Sequence, residues 1–151
     1  MTGKNKKYDF YLQDQNENDF RLSDYRSESR VLLSFHPLAW TPVCQNQMED
    51  LENNYEKFKD LNIVPVGISV DSTYAKKAWA EEMGLENLRL LSDFWPHGEV
   101  AQEFNIFRNN FGFSKRANIL IDKNSQIEFK LEYDMSVLPD IDELLDKINK
   151  L

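Results

Sequence analysis

Apolar side chains along this chain alternate between short, nearly continuous runs and stripes with helical spacing. Residues 31–35, 63–70 and 88–91 form runs of strand length that contain many branched aliphatic side chains. Such runs are typical of strands buried inside a sheet. Between and after them, apolar side chains recur every three or four residues, which predicts amphipathic helices. The three helical stripes comprise Met48, Leu51, Tyr55 and Phe58; Ala75, Ala78, Trp79 and Met83; and Leu138, Ile141, Leu144, Leu145 and Ile148.

Turn and capping residues predict where further elements begin and end. Asp71 or Ser72 can cap the second helix, and Gly84 can end it. Alternating apolar and polar residues over 126–133, after a polar turn at 122–125, are typical of the second strand of a hairpin. The remaining predicted elements are a short helix at 98–104, the first strand of that hairpin at 118–121, and an N-terminal hairpin at 8–22 that turns across 14–18.

The order of these elements predicts an α/β protein with a thioredoxin-like fold. Strand, helix, strand, helix and strand are followed by a hairpin and a last helix, which predicts a mixed central sheet with helices on both faces and an N-terminal hairpin. The chain has 151 residues, and it contains neither an internal repeat nor a linker rich in Gly, Pro or Ser. We therefore expect one domain over residues 1–151, with residues 1–7 as a flexible tail.

Charge and cysteine content narrow the classes of function. The chain carries 26 acidic and 18 basic side chains, a formal charge of −8, which disfavours binding to nucleic acids and to membrane surfaces. Neither a membrane-spanning stretch nor a secretory signal is evident, so we expect a cytoplasmic protein. The single cysteine cannot form an internal disulfide. The two histidines, His36 and His97, have no partner at metal-ligand spacing, and we expect neither a metal nor another cofactor.

The loop between the first buried strand and the first helix is the best candidate for chemistry, because ligands usually bind beyond the carboxyl ends of strands in α/β sheets. Pro42 suits the first turn of a helix, which places Cys44 in that same turn. The free amides and the dipole at a helix start favour a thiolate, which is the nucleophilic form of cysteine. Thr41, three residues before Cys44, can both donate and accept a hydrogen bond there through its hydroxyl.

Three residues of this loop resemble the signature of a known family. Pro37, Thr41 and Cys44 match the PxxxTxxC motif of the peroxiredoxins, and the resemblance runs from about residue 9 to the end of the chain. The segment 93–98 is similar to a one-cysteine subgroup, the alkyl hydroperoxide reductase E enzymes. The other segments that resemble the family, in the same order, are 22–25, 67–72, 91–93 and 113–122.

The resemblance implies a thiol-dependent peroxidase that reduces hydrogen peroxide and organic hydroperoxides. Cys44 would be oxidised to a sulfenic acid, and Arg116 together with Thr41 would bind and activate the peroxide. Pro37 would shield the sulfur from water, and the amides of Val43 and Cys44 would assist.

Three further residues are expected around the substrate. His36 is expected to pack near the site without taking the proton. Trp40 and Trp95, which lie in loops with Phe94, are interpreted either as a wall of the substrate pocket or as a dimer contact, and both readings stay open.

Two departures from the family pattern affect the mechanism. Gln47 stands where many members have glutamate, and there is no second cysteine to resolve the sulfenic acid. The resemblance therefore implies reduction by an external thiol, which could be a small thiol or a thioredoxin-like or glutaredoxin-like protein, and it implies a homodimer. Two alternatives remain: a thioredoxin-fold oxidoreductase, disfavoured because residues 44–47 lack the second thiol of a CxxC pair, and a non-enzymatic chaperone or binding module.

Overall fold

A computed structural model describes residues 6–151 of the chain, so most of the predicted tail lies outside the described residues. Nine strands and five helices are found in this range, together with a 3₁₀ turn at Leu22–Tyr25. The strands are β1 (Tyr11–Gln13), β2 (Asp19–Arg21), β3 (Arg30–Phe35), β4 (Ile63–Ser69), β5 (Arg89–Ser92), β6 (Phe107–Arg108), β7 (Phe113–Ser114), β8 (Arg116–Ile121) and β9 (Ile127–Tyr133). The helices are α1 (Pro42–Asn53), α2 (Tyr55–Asp60), α3 (Thr73–Met83), α4 (Glu99–Glu103) and α5 (Ile141–Asn149).

Seven strands form one mixed sheet in the order β2-β1-β5-β4-β3-β8-β9. The strands β3, β4 and β5 are parallel, whereas β8 runs antiparallel to β3 and β9 antiparallel to β8. The predicted N-terminal hairpin is present as β1 and β2, closed by the amide of Asp14 donating to the carbonyl of Asn18 at 3.0 Å. This topology places the end of β3 next to the start of β8.

Apolar cores lie on both faces of the sheet. Side chains alternate between the two faces along each strand, so Leu32 and Leu33 of β3 belong to different cores. The core that contains Leu32 is covered by α1, α2, α3 and α5, and the core that contains Leu33 is covered by α4 and the N-terminal segment. The predicted arrangement of helices on both faces is confirmed.

The first long helix differs from its prediction. The stripe from Met48 to Phe58 predicted one helix, but α1 ends before Asn54 and α2 begins after it. The backbone of Asn54 has φ −109° and ψ 14°, and its side-chain amide donates to the Asp50 carbonyl at 2.8 Å. A short amide side chain that bonds to a nearby carbonyl competes with the helical pattern, which accounts for the break.

The buried faces of α3 and α5 also differ in part from their predictions. Lys76 is fully buried in α3 whereas Ala78, which the stripe placed inside, is exposed. Lys76, Trp79, Ala80 and Met83 follow the helical spacing more closely than the predicted set does. Leu138 precedes α5 and is exposed, because that helix begins only after the capping carboxylate of Asp140. The small sheet of β6 and β7 was not predicted.

Candidate active site

The loop after β3 delivers Cys44 into the first turn of α1. Thr41 is the N-cap residue, with extended backbone angles of φ −105° and ψ 147°, and Pro42 occupies the first helical position. The first hydrogen bond of the helix runs from the Gln45 amide to the Thr41 carbonyl at 2.9 Å. The amides of Val43 and Cys44 therefore lie ahead of the intrahelical ladder. The Cys44 side chain is 1% exposed.

Arg116 reaches the sulfur from the neighbouring strand. It is the first residue of β8, which pairs with β3, and it is 3% exposed. Its Nη1 donates to Cys44 Sγ at 3.2 Å, and its Nη2 donates to the carbonyl of Met135 at 2.8 Å. Two residues that are 72 positions apart in the sequence are thus brought into direct contact.

Gln47 links this arginine to β3. Its Oε1 accepts from Arg116 Nη1 at 2.7 Å, and its Nε2 donates to Ser34 Oγ at 2.7 Å and to the Phe35 carbonyl at 3.2 Å. A guanidinium only donates and a carbonyl only accepts, so these neighbours fix the orientation of the amide. Gln47 adds no charge, and within residues 6–151 Arg116 forms no ion pair with a carboxylate. A Cys44 thiolate would therefore be the anion in contact with this guanidinium.

The hydroxyl of Thr41 is already engaged as a donor. Thr41 Oγ1 donates to the carbonyl of Leu38 at 2.9 Å instead of capping α1. Its lone pairs can therefore accept a hydrogen bond from a bound molecule.

These groups surround a cavity of about 260 Å³. Five residues predicted for the site line it, namely Pro37, Thr41, Val43, Cys44 and Arg116. Leu38, Pro42, Phe113 and Met135 complete the wall, so most of the lining is apolar. An apolar cavity with a few convergent polar groups is the usual form of a small-molecule site.

Three other predicted residues lie away from this cavity. Trp40 is half exposed, and its indole Nε1 donates to the Ala75 carbonyl of α3 at 3.3 Å. Trp95 is 80% exposed and borders a different surface depression together with Tyr11 and Tyr74. His36 is fully buried behind the site, where its Nε2 lies 3.0 Å from the Nζ of Lys76.

Phe113, Met135 and Lys76 were not predicted as part of the site or its surroundings, and they differ in how far the sequence indicates their positions. Phe113 belongs to a segment that resembles the family, whereas Met135 contributes a backbone carbonyl, for which no side-chain pattern exists. Lys76 has helical spacing to Trp79 and Ala80, but an ammonium is expected on the exposed face of a helix, so the spacing alone does not predict its burial. Burial lowers the pKa of Lys76 to about 7, against the opposing effects of Asp71, Cys44 and Asp93. Burial also lowers the pKa of His36 well below its ordinary value.

Metal-binding groups and membrane-spanning helices are both absent from residues 6–151. No group of three or more His, Cys, Asp and Glu side chains is arranged to hold a metal ion in this range. None of the helices in the same range is long and apolar enough to cross a membrane.

Comparisons with known sequences identify the family of the chain. The sequence pattern of the AhpC/TSA family matches residues 4–130. The chain is 37% identical to alkyl hydroperoxide reductase E of Mycobacterium bovis over 80% of this chain and 78% of that one, and 32% identical to peroxiredoxin 2 of Picrophilus torridus over 86% and 66%.

Solved structures show the same fold. Enterococcus faecalis AhpC superposes with a TM-score of 0.88 at 25% identity, covering 99% of this chain and 92% of that one. Peroxidoxin BcpB from Mycobacterium tuberculosis superposes with a TM-score of 0.84 at 28% identity, covering 100% and 98%. These matches confirm the predicted thioredoxin-like architecture. The chain belongs to the AhpC/TSA family of peroxiredoxins, which are thiol-dependent peroxidases.

Proposed function

We propose that Cys44 is the peroxidatic residue of this thiol peroxidase and that an external thiol regenerates it. The observation that carries the proposal is the 3.2 Å contact between Arg116 Nη1 and Cys44 Sγ, two residues that line the cavity. A guanidinium at this distance stabilises the thiolate and can also donate to a bound oxygen.

The first half of the reaction is a displacement at oxygen. The Cys44 thiolate attacks the terminal oxygen of a hydroperoxide, the S–O bond forms, and the O–O bond breaks. The departing alkoxide or hydroxide takes up a proton from solvent, which leaves an alcohol or water and a sulfenic acid on Cys44. Negative charge moves from sulfur to the leaving oxygen, so donors fixed around that path lower the barrier.

The residues around the sulfur suit this charge movement. Arg116 Nη1 already contacts the sulfur, and Arg116 Nε has no hydrogen-bond partner in the described part of the chain, which leaves a donor for the peroxide. Thr41 can accept from the terminal O–H, because its own hydrogen is engaged with Leu38. The amides of Val43 and Cys44 add further donors, and Pro37 limits the access of water to the sulfur. The apolar wall is suited to organic hydroperoxides as well as to hydrogen peroxide.

The second half of the reaction requires a partner. Cys44 is the single cysteine of the chain, so the sulfenic acid condenses with an external thiol to a mixed disulfide and water. A second thiol then releases the Cys44 thiolate and leaves with the first as a disulfide. We propose a thioredoxin-like or glutaredoxin-like protein, or a small thiol, as the reductant, and a reducing compartment such as the cytoplasm as the location.

Loop aromatics support a homodimer better than a role in peroxide binding. Trp40 and Phe94 are each 52% exposed, Trp95 is 80% exposed, and none of them lines the cavity at Cys44. Exposed aromatic side chains are enriched at protein interfaces. We expect a sedimentation mass of twice 17.8 kDa, and Trp95→Asp should shift it towards the mass of one chain. A wild-type protein that sediments as a single chain at all concentrations would contradict the dimer.

Rapid mixing with peroxide followed by intact-mass measurement tests the proposed function. We expect the wild type to gain one oxygen per chain, and Cys44→Ser to gain none. Arg116→Ala should slow the oxidation by about 100-fold or more, as the loss of one key donor does in other enzymes. Lys115→Ala is the matched control, because Lys115 is the adjacent, exposed cation.

The outcomes separate the proposal from its alternatives. An oxidation rate equal to that of free cysteine, or one unaffected by Arg116→Ala, would contradict the peroxidase site. Adding single reductants to the oxidised protein and following the loss of the added oxygen then identifies the thiol class that completes the cycle.

A further inference from the structure

A second cation lies buried behind the proposed active site. Lys76 of α3 and His36 after β3 are both fully buried, and Lys76 Nζ lies 3.0 Å from His36 Nε2. Neither side chain lines the cavity at Cys44, so neither can touch the peroxide. A buried lysine is costly for a fold, and the mechanism described above gives it no role.

Hydrogen bonding sets the roles of the two side chains. His36 Nδ1 lies 3.4 Å from the carbonyl of Ser34, which can only accept a hydrogen bond. The proton of a neutral imidazole therefore belongs on Nδ1, and Nε2 is left to accept from the Lys76 ammonium. His36 stays neutral because burial lowers its pKa, so the pair holds its positive charge on Lys76.

The pair lies beneath the helix face that carries Cys44. At Gly67 of β4, an added Cβ would stand 3.3 Å from His36 Cε1 and would overlap with Met48 Sδ. Met48 is four residues after Cys44, so both side chains lie on one face of α1. Cys44, Met48 and Trp79, which follows Lys76 by one helical turn, share a single apolar core. Little water can screen a charge in this region.

The carboxylates that act on the pair form hydrogen bonds with other groups. Asp71 accepts from the amide of Ala39 at 2.8 Å and from the hydroxyl of Ser69 at 2.5 Å. Asp93 accepts from two amides at the start of α4, at 3.1 and 3.0 Å. Both carboxylates and Cys44 favour the charged form of Lys76. Arg116 disfavours the charged form of His36, because two positive charges repel each other. Within residues 6–151 Lys76 forms no direct ion pair, so its charge acts on the site through the apolar core.

We propose that Lys76, oriented by His36, is a positioning residue of the peroxidase site whose buried ammonium helps Arg116 to hold Cys44 as a thiolate. The inference rests on the proposed role of Cys44 and deepens it. It adds a charge that acts through the sulfur and never touches the substrate. Because Lys76 loses its proton near neutral pH, its support should be strongest below pH 7 and fade above it.

The first test replaces the charge with an apolar side chain of similar length. In Lys76→Met, the pH profile of Cys44 alkylation by iodoacetamide should move upwards by about one pH unit. The rate of oxidation by hydrogen peroxide should fall about tenfold at pH 6 and approach the wild-type rate at high pH. Lys77→Met is the matched control, because Lys77 is the exposed neighbour on the same helix and should leave both profiles unchanged. A Lys76→Met protein with altered thermal stability but a wild-type pH profile would show a purely structural role and overturn the inference.

The second test does not depend on whether that variant folds. Coupling between two charges is reciprocal, so the Cys44 thiolate must stabilise the Lys76 ammonium as much as the ammonium stabilises the thiolate. The ¹³Cε resonance of Lys76, assigned by through-bond correlation to its own amide, reports its titration in reduced wild type and in Cys44→Ser. We expect the midpoint to be lower in Cys44→Ser, and equal midpoints would overturn the inference.

Failure of this inference can be told apart from failure of the proposed function. If wild type reacts rapidly with peroxide and Arg116→Ala does not, while Lys76→Met keeps the wild-type pH profile, only the role of Lys76 is lost. If wild type does not react with peroxide, the proposed function fails, and the alkylation and resonance measurements still report whether Lys76 and Cys44 are coupled.

Discussion

At the scale of single residues, the division of one positive charge would decide the chemistry proposed for Cys44. Arg116 Nη1 donates both to Cys44 Sγ and to Gln47 Oε1. A carboxylate at position 47 would compete with the thiolate for the guanidinium, whereas the neutral amide of Gln47 does not. The amide also donates to Ser34 Oγ and to the Phe35 carbonyl, so it fixes the first turns of α1 against β3.

Gln47→Glu should therefore slow the reaction with peroxide at low pH. The introduced carboxyl must either ionise beside the Phe35 carbonyl and draw on the charge of Arg116, or stay protonated to keep that hydrogen bond. We expect the pH profile of the oxidation rate to move upwards, with a loss of up to about tenfold at pH 6. Stopped-flow measurements between pH 5 and pH 9 give this profile. Asn46→Asp adds the same charge on an exposed position of α1 and should change the profile little. Identical profiles for wild type and Gln47→Glu would show that Gln47 does not influence the charge balance.

At the scale of elements, the start of α1 could be predicted from the sequence and the burial of α3 could not. Pro42 at the first helical position is a local signal, and Cys44 follows it within the same turn. The inner face of α3 depends on which neighbours accept its side chains. An ammonium is excluded from a core by default, and Lys76 is admitted because the imidazole of His36 offers it an acceptor, a contact between residues 40 positions apart.

Close approach of β4 to α1 is a second feature that depends on tertiary contacts. Gly67 has no side chain, so Met48 Sδ occupies the space where a Cβ would be, and Leu90 Cδ2 and His36 Cε1 lie 3.0 and 3.3 Å from that point. Gly67→Ala should lower the free energy of unfolding by about 1–3 kcal/mol through overpacking, and should slow peroxide oxidation by displacing α1. Urea unfolding at pH 7 measures the first effect.

The contact between Gly67 and Met48 can be isolated with a double variant. Met48→Ala alone should cost about 2–5 kcal/mol because it leaves a cavity. Since Met48→Ala also removes the atom that an added Cβ would meet, the double variant should be more stable than the sum of the two losses predicts, by about 1 kcal/mol. Additive losses would place the strain at Leu90 or His36 instead.

At the scale of the whole molecule, strand order brings the site together. Cys44 follows β3 and Arg116 begins β8. These strands are antiparallel neighbours, so the end of β3 lies beside the start of β8 and both residues lie at the same end of the two strands. The sequence predicts the strands and the alternation of helices, but periodicity alone does not state which strand lies beside β3. The resemblance to peroxiredoxins supplied Arg116, and the strand order supplies the physical reason for its contact with Cys44.

The buried lysine should also be visible in the stability of the whole protein. The pKa of Lys76 falls from 10.5 to about 7 on folding, because burial disfavours the charged form. Below pH 7 the lysine is charged in both states, and the full cost of its burial is present. Between pH 7 and pH 10.5 the unfolded chain binds more protons than the folded one, so the free energy of unfolding rises with pH through this window.

Comparison with a variant that lacks the charge separates this effect from the other titrating groups. The free energy of unfolding is measured by urea titration under reducing conditions. Between pH 7 and pH 10 it should rise by a few kcal/mol more in wild type than in Lys76→Met. The same comparison with Lys77→Met should give a small difference that does not depend on pH, because Lys77 is exposed in the folded protein. A constant gap between wild type and Lys76→Met across this range would mean that Lys76 keeps its proton in the folded protein up to pH 10, so that burial does not lower its pKa. The support of the ammonium for the thiolate would then persist above pH 7 instead of fading.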